Sequence, residues 1–270
     1  MANYWAERQA EMQAALTEKN IQEVEKQIAQ YYKQTSHRII GQFEQTYIKV
    51  FTSIEDGKTP TPADLYKLDS YWQMLAQCQK ELQKLGDKQI KYIADSFVNE
   101  WAEIYEATAI PTNLSFGTMD KEIAEQMINH IWCADGKTWS GRIWENISKL
   151  QNTLTDGLLD CLVMGKQPKD LKHVLMERFN VSFNNADMIV RTEMAHIQTQ
   201  AAQKRYQDSG IEWVEVLADK DERRCDVCGK LHRKRYPVNG AMPVPAHPRC
   251  RCCIIPVVDD FNEQIKLDKF

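Results

Sequence analysis

The sequence predicts a mainly α-helical protein, in which an elongated N-terminal helical region and a helical body precede a small, cysteine-rich α+β module. Three observations support this fold class. Apolar residues recur at steps of three and four through most of residues 1–208, which is the period of an amphipathic helix. The period changes to the composition of a strand at residues 211–217. Five of the eight cysteines then lie between residues 225 and 253.

Composition sets the class of protein. The 270 residues suffice for one or two domains, and 43% hydrophobic with 27% charged residues is ordinary for a globular chain. No run of 18 apolar residues is present, so no membrane span is predicted. The first residues lack the basic and apolar segments of a signal peptide, which predicts folding in a reducing cytoplasm. There, a C-x-x-C pair more often serves a metal or redox site than a disulfide.

The N-terminal region, residues 1–110, is predicted to be a long helical bundle or hairpin. Residues 1 to about 55 form one helix, because an apolar stripe runs from Ile21 to Ile54. After a turn, Thr61 caps the next helix with a proline at its first position. We expect Gly86 to end that helix and Asp87 to begin a third.

A second domain is predicted over residues 111–258, with a tail over 259–270. The break at 109–117 carries proline and glycine, and helices follow over 118–208. The residues predicted to start or end these helices are, in order, Thr118, Ser140, Gly165, Pro168, Ser182 and Gly210. Residues 211–258 form the small α+β module.

The module has two predicted strands, 211–217 and 252–258, and Pro256 demotes the second to an edge position. Between them lies a stiff segment with four prolines and little apolar content. Such a segment cannot be held by burial alone. It needs a crosslink, and the cysteines lie where a crosslink would form. Cys253 is expected to point into the core.

The cysteine and histidine spacing suits one tetrahedral zinc ion. The preferred ligands are Cys225, Cys228, His247 and Cys250, as two pairs separated by an 18-residue gap. Cys252 competes for the fourth position, because it would face the same side as Cys250 in an extended segment. A disulfide, or packed unligated thiols, are the alternatives. Four protein ligands leave no position for a catalytic water, so this zinc-knuckle-like site is read as structural, and no catalytic residue is predicted.

Two further groups of polar residues stand out. Arg191, Glu193 and His196 lie within an otherwise apolar helix, where they predict a structural polar network that joins this helix to the module. Residues 219–251 hold nine basic and four acidic residues, although the whole chain carries −4. This local surplus predicts contact with DNA or an acidic surface. The candidate DNA contacts are Arg233, Lys234, Arg235, Arg249 and Arg251.

The C-terminal part resembles a known family. The segments Arg191-Thr192-Glu193, Cys225-x-x-Cys228-Gly229 and Pro245-x-His247-Pro248-x-Cys250-Arg251-Cys252 closely resemble the Mu F-like phage minor head, or head morphogenesis, proteins. The resemblance covers roughly residues 115–258. It implies a minor capsid protein of the virion interior, associated with the portal and with major capsid or scaffold proteins. It further implies a role in head assembly and in DNA packaging or delivery.

The resemblance also bears on the site and on the extent of the chain. The family's zinc-like residues map onto Cys225, Cys228, His247, Cys250 and Cys252. Some members carry a toxin domain after this module. The sequence ends about a dozen residues after the last predicted strand, so none is expected here.

Two other functions are compatible with the same cluster. One is a zinc- or thiol-dependent hydrolase or nuclease, which would need an open coordination position. The other is a DNA-binding zinc module, which would need a basic recognition helix that the sequence does not show. A redox role for Cys225 and Cys228 is disfavoured, because the pair follows a charged loop rather than opening a helix of a βαβ unit.

Overall fold

The structure is a computed structural model that describes residues 2–52, 58–108, 121–166, 168–218 and 224–257. These residues form seven helices and three strands, so the predicted mainly helical fold with a small C-terminal α+β module is confirmed. The helices are α1 (Ala2–Thr52), α2 (Pro62–Leu65), α3 (Asp69–Ala107), α4 (Lys121–Ile128), α5 (Trp139–Val163), α6 (Pro168–Asp208) and α7 (Asp226–Leu231). The strands are β1 (Trp213–Leu217), β2 (Arg235–Pro237) and β3 (Cys253–Pro256). None of the described helices combines the length and apolar content needed to cross a membrane.

Local signals predicted the first helix and the start of the second. The long N-terminal helix is confirmed as α1. The predicted cap at Thr61 is confirmed as a capping box, in which the Asp64 amide donates to Thr61 Oγ1 and the Thr61 amide donates to Asp64 Oδ2. This reciprocal pair satisfies two amides that a helix start leaves without a partner.

The predicted helix end at Gly86 is wrong, because α3 continues through this residue and through Asp87. A Cβ atom at position 86 would lie 2.3 Å from Cζ3 of Trp144, which is far closer than van der Waals contact. Gly86 therefore makes room for an indole ring of α5. The absent side chain serves packing rather than helix termination.

The predicted cap at Ser182 is also wrong, since α6 is continuous. Ser182 is buried, and its Oγ lies 3.1 Å from the Tyr32 hydroxyl. Its carbonyl accepts a hydrogen bond from Asn146 Nδ2 at 2.8 Å. The serine thus belongs to a buried hydrogen-bonded cluster, and burial raises the pKa of Tyr32 to about 12.

The remaining helix boundaries are close to those predicted. Thr138, two residues before the predicted Ser140, caps α5 through a hydrogen bond from the Gly141 amide. Gly165 and Gly210 follow the ends of α5 and α6 with φ values of +61° and +74°, which favour glycine. Pro168 begins α6 as predicted. The predicted cap at Thr118 lies outside the described residues.

The chain divides into two compact units. Unit 1 consists of Met1–Val24, Ala94–Trp132 and Met188–Phe270, and it contains the sheet and the cysteine cluster. Unit 2 consists of Glu25–Ile93 and Cys133–Asp187, and it is helical. The predicted boundary near residue 110 lies outside the described residues, so the division into 1–110, 111–258 and 259–270 stays a prediction.

The three strands of unit 1 form one antiparallel sheet in the order β2-β1-β3. The edge position predicted for the strand with Pro256 is therefore confirmed. On one face of the sheet, the hydroxyl group of Tyr206, a residue of α6, lies 3.5 Å from the Ile254 carbonyl oxygen. On the other face, Cys253 and Ile255 pack with Ala10 of α1, so Cys253 is in the core as predicted. The sheet lies between α6 and the start of α1.

Candidate metal centre

The first two cysteines lie at the start of α7, a helix that the sequence analysis missed. Cys225 has extended backbone angles and caps the helix, and its Sγ accepts a hydrogen bond from the Cys228 amide at 3.4 Å. One turn of helix thereby brings both thiols to the same side. Six residues are too short to show an apolar period, which is why the pattern of the sequence did not reveal this helix.

The second pair of donors lies on a tight turn. The Cys250 amide donates to the His247 carbonyl at 3.1 Å, and the intervening Arg249 has a φ of 59°. His247 Nδ1 lies 2.8 Å from the Pro248 carbonyl. A carbonyl can only accept, so Nδ1 carries the proton and Nε2 keeps its lone pair for a metal or a thiol.

All five predicted donors come together. His247 Nε2 lies 3.3 Å from Cys225 Sγ and 3.1 Å from Cys228 Sγ, and Cys228 Sγ lies 3.7 Å from Cys250 Sγ. A tetrahedral zinc with bonds of about 2.3 Å to sulfur would hold two thiolates about 3.8 Å apart. The donors form two overlapping triads that share Cys228, with ligand atoms within 4.8 Å in each: Cys225, Cys228 and His247, and Cys228, Cys250 and Cys252. The cluster could hold a metal ion.

The pKa values of the thiols are shifted in opposite directions within the cluster. Burial raises the pKa of Cys228, whereas the hydrogen bond that Cys250 accepts from Cys252 lowers the pKa of Cys250. The amide of Cys228 lowers the pKa of Cys225 in the same way. Cys225 and Cys250, one from each pair, are therefore the thiols most readily present as thiolates. A divalent cation would favour the thiolate form of the others.

The three residues of the predicted polar network lie on α6, where Arg191 reaches α1 and the other two share Trp132 as a partner. Arg191 Nη1 lies 3.2 Å from Glu18 Oε2 of α1. Glu193 accepts a hydrogen bond from Trp132 Nε1 at 2.9 Å, and His196 stacks on that indole with centroids 4.1 Å apart. Burial lowers the pKa of His196 to about 4, so this imidazole is neutral at pH 7. Trp132 was not predicted as a partner, because a loop residue shows no periodicity.

The predicted DNA contacts differ in their surroundings. Arg233 forms ion pairs with Glu7 and Glu215, so it ties the start of α1 to β1. The other four are exposed: Lys234, Arg235, Arg249 and Arg251. His232, outside the cluster, accepts a hydrogen bond from the Ala218 amide at its Nδ1.

A known family matches the region that contains this centre. Residues 149–255 match the model of the family described as Phage Mu protein F like protein. The match begins within α5 and ends within β3, so it includes α6 and all five donors. No solved structure matches the chain.

One curated relative covers a similar share of the chain. It is an NAD(+)–arginine ADP-ribosyltransferase of Enterococcus faecalis, which is 27% identical over 154 residues. The alignment covers 49% of this chain and 31% of the relative, so this chain spans less than a third of that protein's length.

The family match agrees with the Cys-x-x-Cys and His-Pro-x-Cys-Arg-Cys segments that first indicated the resemblance, and their side chains form one cluster. Over residues 149–255, the chain is therefore similar to the phage Mu protein F-like family, and this match supports a phage head morphogenesis family.

Proposed function

We propose that this protein is a minor head protein of a phage or prophage, made in the host cytoplasm and incorporated into the capsid interior. In this role it associates with the portal and with major capsid or scaffold proteins, and it supports head assembly and DNA packaging or delivery. The observation that carries the proposal is the family match over residues 149–255. The role is structural rather than enzymatic.

In this proposal the cysteine cluster holds one structural zinc ion. Cys225, Cys228, His247 and Cys250 supply a complete tetrahedral shell, and Cys252 is the spare donor that could replace Cys250. Soft thiolates and an imidazole are the donors that zinc prefers. Three of the cysteines are at least 96% buried, which supports a closed shell rather than an open one: Cys228, Cys250 and Cys252.

An enzymatic alternative draws on the relative, whose printed name describes an ADP-ribosyltransferase. The alignment covers 31% of that protein, so the name does not transfer its activity to this chain. A zinc- or thiol-dependent hydrolase or nuclease would need a coordination position that a substrate can reach. The buried donors of this cluster favour the structural role.

The surface proposed for the portal lies in unit 2. Trp72 stacks on Tyr66 with ring centroids 5.8 Å apart, and Trp72 Nε1 donates to the Tyr66 carbonyl at 2.9 Å. Both aromatic side chains are about half exposed. A rigid, exposed tryptophan is the kind of residue that dominates the binding energy of protein interfaces.

Co-expression with the portal protein tests the partnership. The wild-type chain should co-purify with the portal, and Trp72→Ser should reduce the recovery about tenfold or more, as expected for a hot-spot residue. Trp213→Ser is the matched control, because Trp213 is similarly exposed but lies in unit 1. Failure of the wild type to co-purify would contradict the portal as partner. Equal losses in both variants would contradict this surface.

Packaged DNA is the second proposed partner, at the exposed basic residues of the module. If Lys234 contacts a phosphate, the affinity for duplex DNA should fall steeply between about 50 and 200 mM salt. Lys234→Gln should then reduce the slope of the logarithm of the binding constant against the logarithm of salt concentration by about one. Lys149→Gln, an exposed lysine of α5, is the control. Binding that does not change with salt, or equal slopes in both variants, would remove the module from the DNA-contacting surface.

A further inference from the structure

One turn of α6 contacts three separate parts of unit 1. Arg191 pairs with Glu18 of α1, and Glu193 accepts a hydrogen bond from Trp132, before α5. Between them, Thr192 Oγ1 accepts a hydrogen bond from the Arg249 amide at 3.1 Å. Consecutive residues of a helix point about 100° apart, so three neighbours can reach three different elements.

The contact made by Thr192 is on the metal-binding turn itself. Arg249 lies between the donors His247 and Cys250, and its φ of 59° is a conformation that a residue with a side chain adopts at a cost. The turn therefore depends on hydrogen bonds that fix it. They include two within the turn, at the His247 ring and at the Cys250 amide, and one from the helix.

The geometry assigns the roles of the Thr192 hydroxyl. Its proton is donated to the Met188 carbonyl at 2.7 Å, one helical turn earlier. That bond orients the hydroxyl and leaves a lone pair for the Arg249 amide. The hydroxyl thus works as a fixed acceptor on a rigid helix, and it sets the position of a backbone amide between two metal donors.

The same helix holds the module at a second place. Gln203 Nε2 donates to the carbonyls of Val238 and Gly240, at 2.7 and 2.9 Å. This loop precedes the His247 turn in the chain. Helix α6 therefore holds the irregular part of the module through hydrogen bonds at two places.

We infer that Thr192 is a positioning residue for the metal centre, because it holds the turn between His247 and Cys250 in the shape in which both donors face Cys228. This inference rests on the proposed zinc site. Its prediction is that Thr192 controls how long the metal is retained, although it contributes no ligand. Outer partners of metal ligands commonly affect metal affinity tenfold or more.

The test is the rate at which a chelator removes zinc from the purified full-length chain, followed with a chromogenic indicator. Thr192→Val keeps the shape of the side chain and removes the hydroxyl, and zinc release should become about tenfold faster. Thr192→Ser restores the acceptor, and its rate should lie within about twofold of the wild type. Both variants are compared at equal metal loading.

Thr199→Val is the matched control. Thr199 lies two turns further along α6, is buried, and donates to the Ala195 carbonyl at 3.0 Å as Thr192 does to Met188. Its loss removes a helix hydroxyl without touching the metal-binding turn, so zinc release should keep the wild-type rate. Equal acceleration in Thr192→Val and Thr199→Val would assign the effect to general destabilisation and overturn the inference.

Amide hydrogen exchange gives a second measurement that does not depend on Thr192→Val folding. The Arg249 amide should be protected in the zinc-loaded wild type and in Thr192→Ser. Exchange at the rate of a free amide in the wild type would overturn the positioning role. Metal analysis separates failure of this inference from failure of the zinc proposal. A wild-type protein that contains no metal would overturn the zinc proposal. A zinc-loaded Thr192→Val variant that releases zinc at the wild-type rate would overturn only the role of Thr192.

Discussion

Purified without chelator, the wild-type chain should contain one zinc ion, and its removal should unfold residues 224–257 while the long helices stay folded. This segment contains one six-residue helix and strands of three and four residues, so its own core is small. A structural zinc in such a module contributes on the order of 10 kcal/mol to folding. Loss of amide protection in this segment after EDTA treatment, with unchanged helical circular dichroism, is the expected result.

Substitution of the shared donor should have the same effect. Cys228 belongs to both donor triads, so Cys228→Ser should purify with almost no zinc. Cys253→Ser is the matched control: Cys253 is a buried cysteine of the same module, and its Sγ faces the Leu217 carbonyl rather than the cluster. Cys252→Ser should retain zinc if Cys250 is the fourth ligand. Five free thiols, titrated in a wild-type module that is folded, would contradict a metal crosslink.

The second large effect is expected at a glycine inside α3. Gly86→Ala should destabilise the protein by about 2 kcal/mol, because the new methyl group would overlap the Trp144 ring and force a shift in packing. Gly41→Ala is the control: this glycine also lies within a long helix, but a Cβ atom there meets no atom within 4 Å. The free energy of unfolding of that variant should rise by about 0.5–1 kcal/mol, because alanine has a higher helix propensity than glycine. Urea unfolding measures both changes.

A double-mutant cycle identifies the cause. In a Trp144→Leu background, Gly86→Ala should cost much less than in the wild type, since the clashing ring is gone. The two substitutions should therefore be strongly non-additive. Additive effects, or a Gly86→Ala variant as stable as Gly41→Ala, would show that the tight contact with Trp144 does not limit this position.

These residues also show which parts of the fold the sequence can predict. The capping box at Thr61 is encoded within four residues, and the donor spacing from Cys225 to Cys250 is encoded by two short motifs, so both were predictable. Gly86 and Ser182 looked like helix signals, but each serves a partner far away in the chain. Single-residue propensity is a weak preference that such tertiary contacts override.

For the candidate site, the sequence predicted only which thiol and imidazole side chains would come together. Their spacing indicated a metal site, because metal chemistry restricts residue type strongly. The sequence does not show that Thr192 contacts Arg249, or that Trp132 stacks on His196, since neither pair belongs to one periodic element. Arg233, predicted from local charge to meet DNA, pairs with Glu7 at the opposite end of the chain.

The packing of Ala10 of α1 against Cys253 and Ile255 of β3 has a consequence for biosynthesis. Ala10, which covers Cys253 and Ile255, leaves the ribosome before α3, α5 and α6, whereas the strand leaves after them. The sheet cannot be covered until these helices have been translated, so its closure comes long after the synthesis of α1. Until then, the nascent helix α1 exposes the apolar surface that later covers the sheet.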